Sequence, residues 1–254
     1  MNSIAREPIQ TPSTWLGPEL LVTDDWVRRL TPAEIIDLET GLAAAKATGK
    51  AMTDLTRNDF PLPVLHPSIS EWMESLQSGR GFINVKGIPV ADRDVEEIAL
   101  LHWGLGLHMG KAVSQNAAGD VLGHVRDTGA DPDDTSVRLY KTRVDLGFHS
   151  DGSDLVALLC IRQGRSGGAN RLASTTALYN EILRRRPDLV PLLYEPFHWD
   201  RNDEQSEGQD PFFQLPICRY ADGKLTFFYI PWYIRKAQRH AQVPRLTREQ
   251  TELL

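Results

Sequence analysis

Gly147-Phe148-His149-Ser150-Asp151-Gly152-Ser153-Asp154, followed by Leu155-Val156-Ala157-Leu158-Leu159-Cys160-Ile161, is the stretch on which the reading of this chain turns. Along an extended backbone, residues i and i+2 point to the same side. An imidazole and a carboxylate in His-x-Asp spacing can therefore hold one metal ion from one face. That pair is two-thirds of the two-histidine, one-carboxylate set of non-haem iron oxygenases, which leaves coordination positions open. The spacing alone is weakly specific. With 7 histidines in 254 residues, composition supplies roughly half of one such pair by chance, and a second copy stands at His198-Trp199-Asp200. Context separates the two. His149 and Asp151 lie between a strand-like piece, Ser136-Val137-Arg138-Leu139-Tyr140, and the short apolar stretch 155–162, the best strand candidate of the chain. His198 and Asp200 open onto the polar run from Arg201 to Gly208, where solvent competes for both side chains.

Outward from that centre, Ser166-Gly167-Gly168 marks a turn. Ser174 or Thr175 then caps a helix through Leu178, Ile182 and Leu183 that Pro187 stops. Leu225-Thr226-Phe227-Phe228-Tyr229-Ile230 reads as a further strand. Upstream, Thr31, Pro32 and Glu34 form a helix start with a capping box, and Ile35, Leu38, Leu42 and Ala45 make one face of a helix over 31–48 that Gly49 closes. A second helix follows His66-Pro67 with Ile69, Trp72, Met73 and Leu76 as its stripe. A short strand covers Gly81–Gly87, and a third helix starts at about Asp94 and carries Val95, Ile98 and Leu101. Residues 1–29 read as irregular. Helices first and strands later give an α+β class, a sandwich or barrel with helices packed outside.

Composition narrows the function classes. The hydrophobic fraction of 41% is that of a chain able to bury a core. A net charge of −6 without a basic block argues against a binder of phosphate backbones. Cys160 and Cys218 form no CxxC, which excludes a cysteine zinc site and argues against a disulfide framework. The N-terminus has no apolar core of a signal peptide. The longest apolar run, Leu155–Ile161, is far short of the ~20 residues that span a bilayer. The expectation is a soluble, reduced, cytoplasmic protein with no nucleic-acid or membrane partner.

The order Phe148-His149-Ser150-Asp151-Gly152-Ser153-Asp154, Ser166-Gly167-Gly168, Ser174 and Ala177-Leu178-Tyr179, with Gly81-Phe82 through Gly87-Ile88-Pro89-Val90 upstream, resembles the taurine dioxygenase family, the TauD/TfdA group. The resemblance covers about residues 75–254. It implies a double-stranded β-helix (jelly-roll) core with flanking N-terminal helices, and a single domain over 1–254 with a helical flank at 1–75 and the oxygenase core at 76–254. It implies Fe(II) held by His149 and Asp151, with 2-oxoglutarate and O2 as cosubstrates. The activity implied is hydroxylation of a small organic substrate with release of succinate and CO2. Asn170, after Gly167-Gly168-Ala169, stands where the family often contacts 2-oxoglutarate with Thr or Ser. Gln115 and Tyr140 fall in stretches that resemble the family's pocket lining.

The departures bear on activity. The family supplies a late histidine and a following arginine for the 2-oxoglutarate carboxylate, a task suited to a bidentate guanidinium. The late histidine here is His240, in a basic, helix-like neighbourhood that reads as surface. The expectation is that the core lacks its C-terminal strands, the third ligand and that arginine, which would follow Leu254. Two rivals stay open: a non-catalytic truncated remnant or binding module of the same fold, and a hydrolase with another metal. Gly104-Leu105-Gly106 follows a helix and not a strand, so a dinucleotide loop fails its context. The aromatic run Phe227–Tyr229 and Trp232-Tyr233 reads as core and edge packing, with an aromatic lid as its other use. No GxSxG supports a serine hydrolase.

Overall fold

The computed structural model describes residues 4–116, 119–131 and 137–254. Its order is α1 (Gly17–Leu20), β1 (Val27–Arg29), α2 (Pro32–Ala47), α3 (His66–Gln77), β2 (Asn84–Lys86), α4 (Val95–Met109), α5 (Thr175–Arg185), β3 (Pro196–Asp200), β4 (Phe212–Pro216), β5 (Cys218–Ala221), β6 (Lys224–Phe227), α6 (Pro231–Ala237) and α7 (Arg248–Leu253). The class is α+β, and the strands among the described residues form three two-stranded sheets.

The four longer helices form where local signals demand them. Thr31 accepts from the Glu34 backbone while the Glu34 carboxylate accepts from the Thr31 N–H at 2.8 Å, so α2 begins on a complete capping box. Asp94 and Ser174 cap α4 and α5 through the N–H groups of Glu97 and Ala177. These helices bury their apolar stripes in two places. The first cluster joins Leu38, Leu42, Phe60, Leu65, Ile69, Trp72 and Leu101 from α2, α3, α4 and the loop between α2 and α3. The parallel pair β1–β2, in register Val27↔Asn84, closes its edge. The segment before α2, expected to be irregular throughout, thus contributes a strand.

The second cluster gathers Tyr179, Leu193, Phe197, Trp199, Ile217, Cys218 and Ile234. Here β3 pairs antiparallel with β4, with Trp199 opposite Phe213, and β5 with β6 through a tight turn at Asp222 and Gly223, both at positive φ. The N-terminal residues belong to this cluster. The Tyr179 hydroxyl donates to the Ala5 carbonyl at 2.6 Å, and the Asn180 side chain both donates to and accepts from the Ile9 backbone, at 2.8 Å each way.

Two expected strands are not formed. Residues 155–162 carry no strand pairing, and Val156 and Leu158 are 50% and 66% exposed. An apolar run specifies a strand only when a neighbouring backbone supplies its hydrogen bonds, and no described segment lies beside this one as a partner strand. Residues 139–141 form a 3-10 turn instead of a strand, while Ser136 lies outside the described residues. Gly104 and Gly106, read as part of a glycine-rich loop, sit inside α4.

Candidate metal centre

His149 and Asp151 lie in the irregular stretch between α4 and α5, held by contacts from α6 and the turn ahead of it. The Ser150 N–H donates to the Tyr229 carbonyl at 2.8 Å, and the Tyr229 N–H donates to Ser150 Oγ at 2.7 Å. This double link pins the middle residue of the His-x-Asp triplet to the turn ahead of α6. Flanking it, the His149 ring meets Trp232 edge-to-face at a centroid distance of 5.0 Å, a favourable aromatic arrangement.

The orientation of His149 follows from its other nitrogen. Nδ1 lies 2.8 Å from the Gly147 carbonyl. A carbonyl only accepts, so Nδ1 carries a proton, which leaves Nε2 as the nitrogen available to a metal; it lies 3.9 Å from Asp151 Oδ1. Two donors at roughly 2.1 Å from one ion lie roughly 3.0 Å apart when they take neighbouring octahedral positions, so this pair must close by about 1 Å to share an ion. A ligating histidine that gives its second N–H to a backbone carbonyl is the arrangement that fixes tautomer and ring in metal sites. The pair therefore supplies an imidazole nitrogen and a carboxylate oxygen, donor types that suit a divalent metal. Among the described residues no group of three or more His, Cys, Asp or Glu side chains is gathered to complete it. His149 is 26% exposed and Asp151 54%, an accessible site.

The other sequence candidates are spread along the chain. Asn170 is exposed in the loop before α5. Gln115 bonds its own neighbourhood, through Nε2 to the Val113 carbonyl at 3.1 Å. Tyr140 sits in the 3-10 turn with the Lys141 ammonium 5.9 Å from its ring. None of the three makes a hydrogen bond or ring contact with His149 or Asp151 among the described residues. The exposed run 155–161 touches α4, where His102 bonds the Ala157 backbone and burial lowers the imidazole's proton affinity.

Sequence reasoning missed the most deeply buried charge. Asp200, the second His-x-Asp carboxylate, is 1% exposed at the end of β3. Arg239 donates to it at 2.8 and 3.2 Å, His240 Nε2 lies 2.9 Å away, and the Asn202 N–H donates at 2.7 Å. His240 is thus an ion-cluster member with 15% of its side chain exposed, not the surface residue its basic neighbourhood indicated. His198 turns instead to Gln214 and Phe212. The available signal was the basic set Lys236, Arg239 and His240, which has no use on a plain surface helix end.

Relatives identify the family. The chain is 29% identical over 230 residues, 90% of its length, to FR-33289 synthase of Streptomyces rubellomurinus, of which it covers 68%. It is 28% identical over 223 residues, 85% of its length, to the taurine hydroxylase-like protein SAT17 of Stachybotrys chartarum, and spans 57% of that relative. The model for the taurine catabolism dioxygenase TauD, TfdA family matches residues 45–254, and the chain belongs to that family, whose members are non-haem iron, 2-oxoglutarate-dependent oxygenases.

Proposed function

We propose that this chain acts as an Fe(II)- and 2-oxoglutarate-dependent dioxygenase that hydroxylates a small organic substrate. The observation that carries the reading is the His149–Asp151 pair, with one histidine nitrogen tied to Gly147 and the other turned to the carboxylate. Bound iron would supply activation of O2 coupled to oxidative decarboxylation of 2-oxoglutarate. One oxygen atom ends in succinate and the other in the hydroxylated product, with CO2 released. His149 and Asp151 would hold two neighbouring coordination positions. Trp232 packs edge-to-face against the imidazole, and the Ser150–Tyr229 link holds the residue between the two ligands. Asn170, Gln115 and Tyr140 are proposed to contact 2-oxoglutarate when the loops close on it. The proposal includes a jelly-roll core, residues 1–254 working as one domain with the flank at 1–75, and a cytoplasmic setting. The net charge of −6 and the absence of a described helix long and apolar enough to cross a membrane support a small-molecule partner.

The test is anaerobic titration of the protein with Fe(II) and 2-oxoglutarate, watched in the visible range. A weak charge-transfer band that disappears in His149→Ala and in Asp151→Ala is the expected result. Absence of the band from the unaltered protein overturns the reading. A band without succinate formation in air selects the non-catalytic binding module instead.

A further inference from the structure

We propose that Asp200 is the remote anchor of a positioning assembly that sets the His149 ring, acting through α6 and Trp232. The inference rests on the reading of His149 as a metal ligand. The Asp200 carboxylate is buried, and the basic side chains around it come from one place. Lys236 lies within α6, and Arg239 and His240 lie in the turn that follows; their nitrogens are 4.0, 2.8 and 2.9 Å from the carboxylate oxygens. A carboxylate taken out of water needs such partners, so β3 and the C-terminal end of α6 are held together at one point. Asp203 takes a second bond from Arg239 at 2.5 Å, which pins the same guanidinium from the loop side.

The other end of the short helix carries Trp232. Seven residues of α-helix span only ~10 Å, and between the two ends Ile234 and Ala237 are fully buried, so displacement of one end moves the other. Trp232 meets the His149 ring at 5.0 Å, and Tyr229, two residues ahead of α6, is doubly bonded to Ser150. The His-x-Asp triplet has no strand neighbours of its own, so these contacts are what orient it. Asp200 and the cations touch neither His149 nor Asp151. They are positioning residues: through α6 and Trp232 they hold the imidazole where its Nδ1 reaches the Gly147 carbonyl, and that bond selects the tautomer.

The experiment uses the whole chain with 15N-labelled histidine. Long-range 1H–15N spectra at one alkaline pH, without metal, report which His149 nitrogen carries the proton, and a separate titration reads Co(II) affinity by its visible spectrum. The unaltered protein should show a single Nδ1–H form of His149. Arg239→Gln and Trp232→Leu should each give a mixture of tautomers and weaken Co(II) by up to about tenfold, the smallest loss seen when a group hydrogen-bonded directly to a ligand is removed. Arg239→Lys should restore most of both. Glu181→Gln, which opens the exposed pairs with Arg184 and Arg185, should change neither. If Arg239→Gln misfolds, Trp232→Leu and Arg239→Lys still decide the matter. A folded Arg239→Gln or Trp232→Leu protein with an unchanged His149 spectrum overturns the anchor. If the unaltered protein binds no Co(II) while the tautomer still shifts in the variants, the ligand reading falls and the anchor stands.

Discussion

Two glycines two residues apart make opposite predictions on alanine substitution. Gly104 and Gly106 both lie inside α4, where replacement of Gly by Ala ordinarily stabilises by ~1 kcal/mol through lost backbone freedom in the unfolded chain. At Gly106 a Cβ meets nothing within 4 Å, so Gly106→Ala should stabilise by that amount. At Gly104 a Cβ would stand 2.3 Å from Phe60 Cδ2 and 2.4 Å from Cε2, against a normal carbon contact of roughly 3.5–4.0 Å. The ring has nowhere to go. Phe60 is fully buried, and on α2 a Cβ at Gly41 would meet its Cε1 at 2.7 Å. Phe60 thus fills a slot that two helical glycines leave open. Overpacking a core costs ~1–3 kcal/mol, and a ring clamped from both sides belongs at the upper end. The helix gain offsets part of this, leaving Gly104→Ala about 2 kcal/mol less stable than the unaltered protein and ~3 kcal/mol below Gly106→Ala. Urea unfolding followed by circular dichroism gives both midpoints at a common slope. Phe60→Leu should cost stability alone but remove most of the penalty of Gly104→Ala, a coupling that a double-mutant cycle isolates. Equal stability of the two alanine variants, or no coupling with Phe60→Leu, would refute the packing argument.

Thr31→Ala removes half of the capping box of α2 and should cost ~1 kcal/mol in the same urea assay; an unchanged midpoint would count against the cap. Cys160 is exposed, whereas Cys218 is buried and its thiol is pushed up to about 12 by desolvation. Native protein at mildly alkaline pH should therefore give one fast-reacting thiol to an aromatic disulfide reagent, at Cys160 by peptide mapping, and a second after unfolding. Hydrogen bonds from Lys50 and Thr56 hold the Asp59 carboxyl down at about 2, below its ordinary 3.8. A carboxylate depressed in the folded state stabilises above its unfolded pKa and loses that contribution as pH falls through the folded one. Asp59→Asn should accordingly flatten the stability–pH curve between about pH 4 and 2, by less in high salt because the pair is exposed; an unaltered acid limb would show that the pair contributes nothing.

The four longer helices were legible because their signals are local. Thr31, Asp94 and Ser174 each sit three residues before the N–H they cap, and the apolar stripes of α2 and α3 recur at helical spacing. The turn at Asp222-Gly223 is equally local, and an Asp-Gly pair between two short strand-formers announces such a hairpin. The run 155–161 misled for the opposite reason. Its β character is real, but a strand exists only through a partner, and pairing is not written in the run itself. The same limit applies to Gly104, whose role depends on a phenylalanine 44 residues earlier in the chain.

At the site, the sequence alone proposed the two ligand candidates, His149 and Asp151, from their spacing on an extended backbone, although the strand that spacing assumed is not formed at 149–151. It also determined the family, because the order of short motifs survives in the linear chain. Tertiary structure decided everything that required distant segments to meet. It set Trp232 against His149, locked Ser150 to Tyr229, and placed the discarded pair His198–Asp200 at the end of β3, with the carboxylate buried among Lys236, Arg239 and His240. A sequence shows a charge and its neighbours in order, whereas the cost of burying that charge, and the cations that offset it, arise only when the chain has folded.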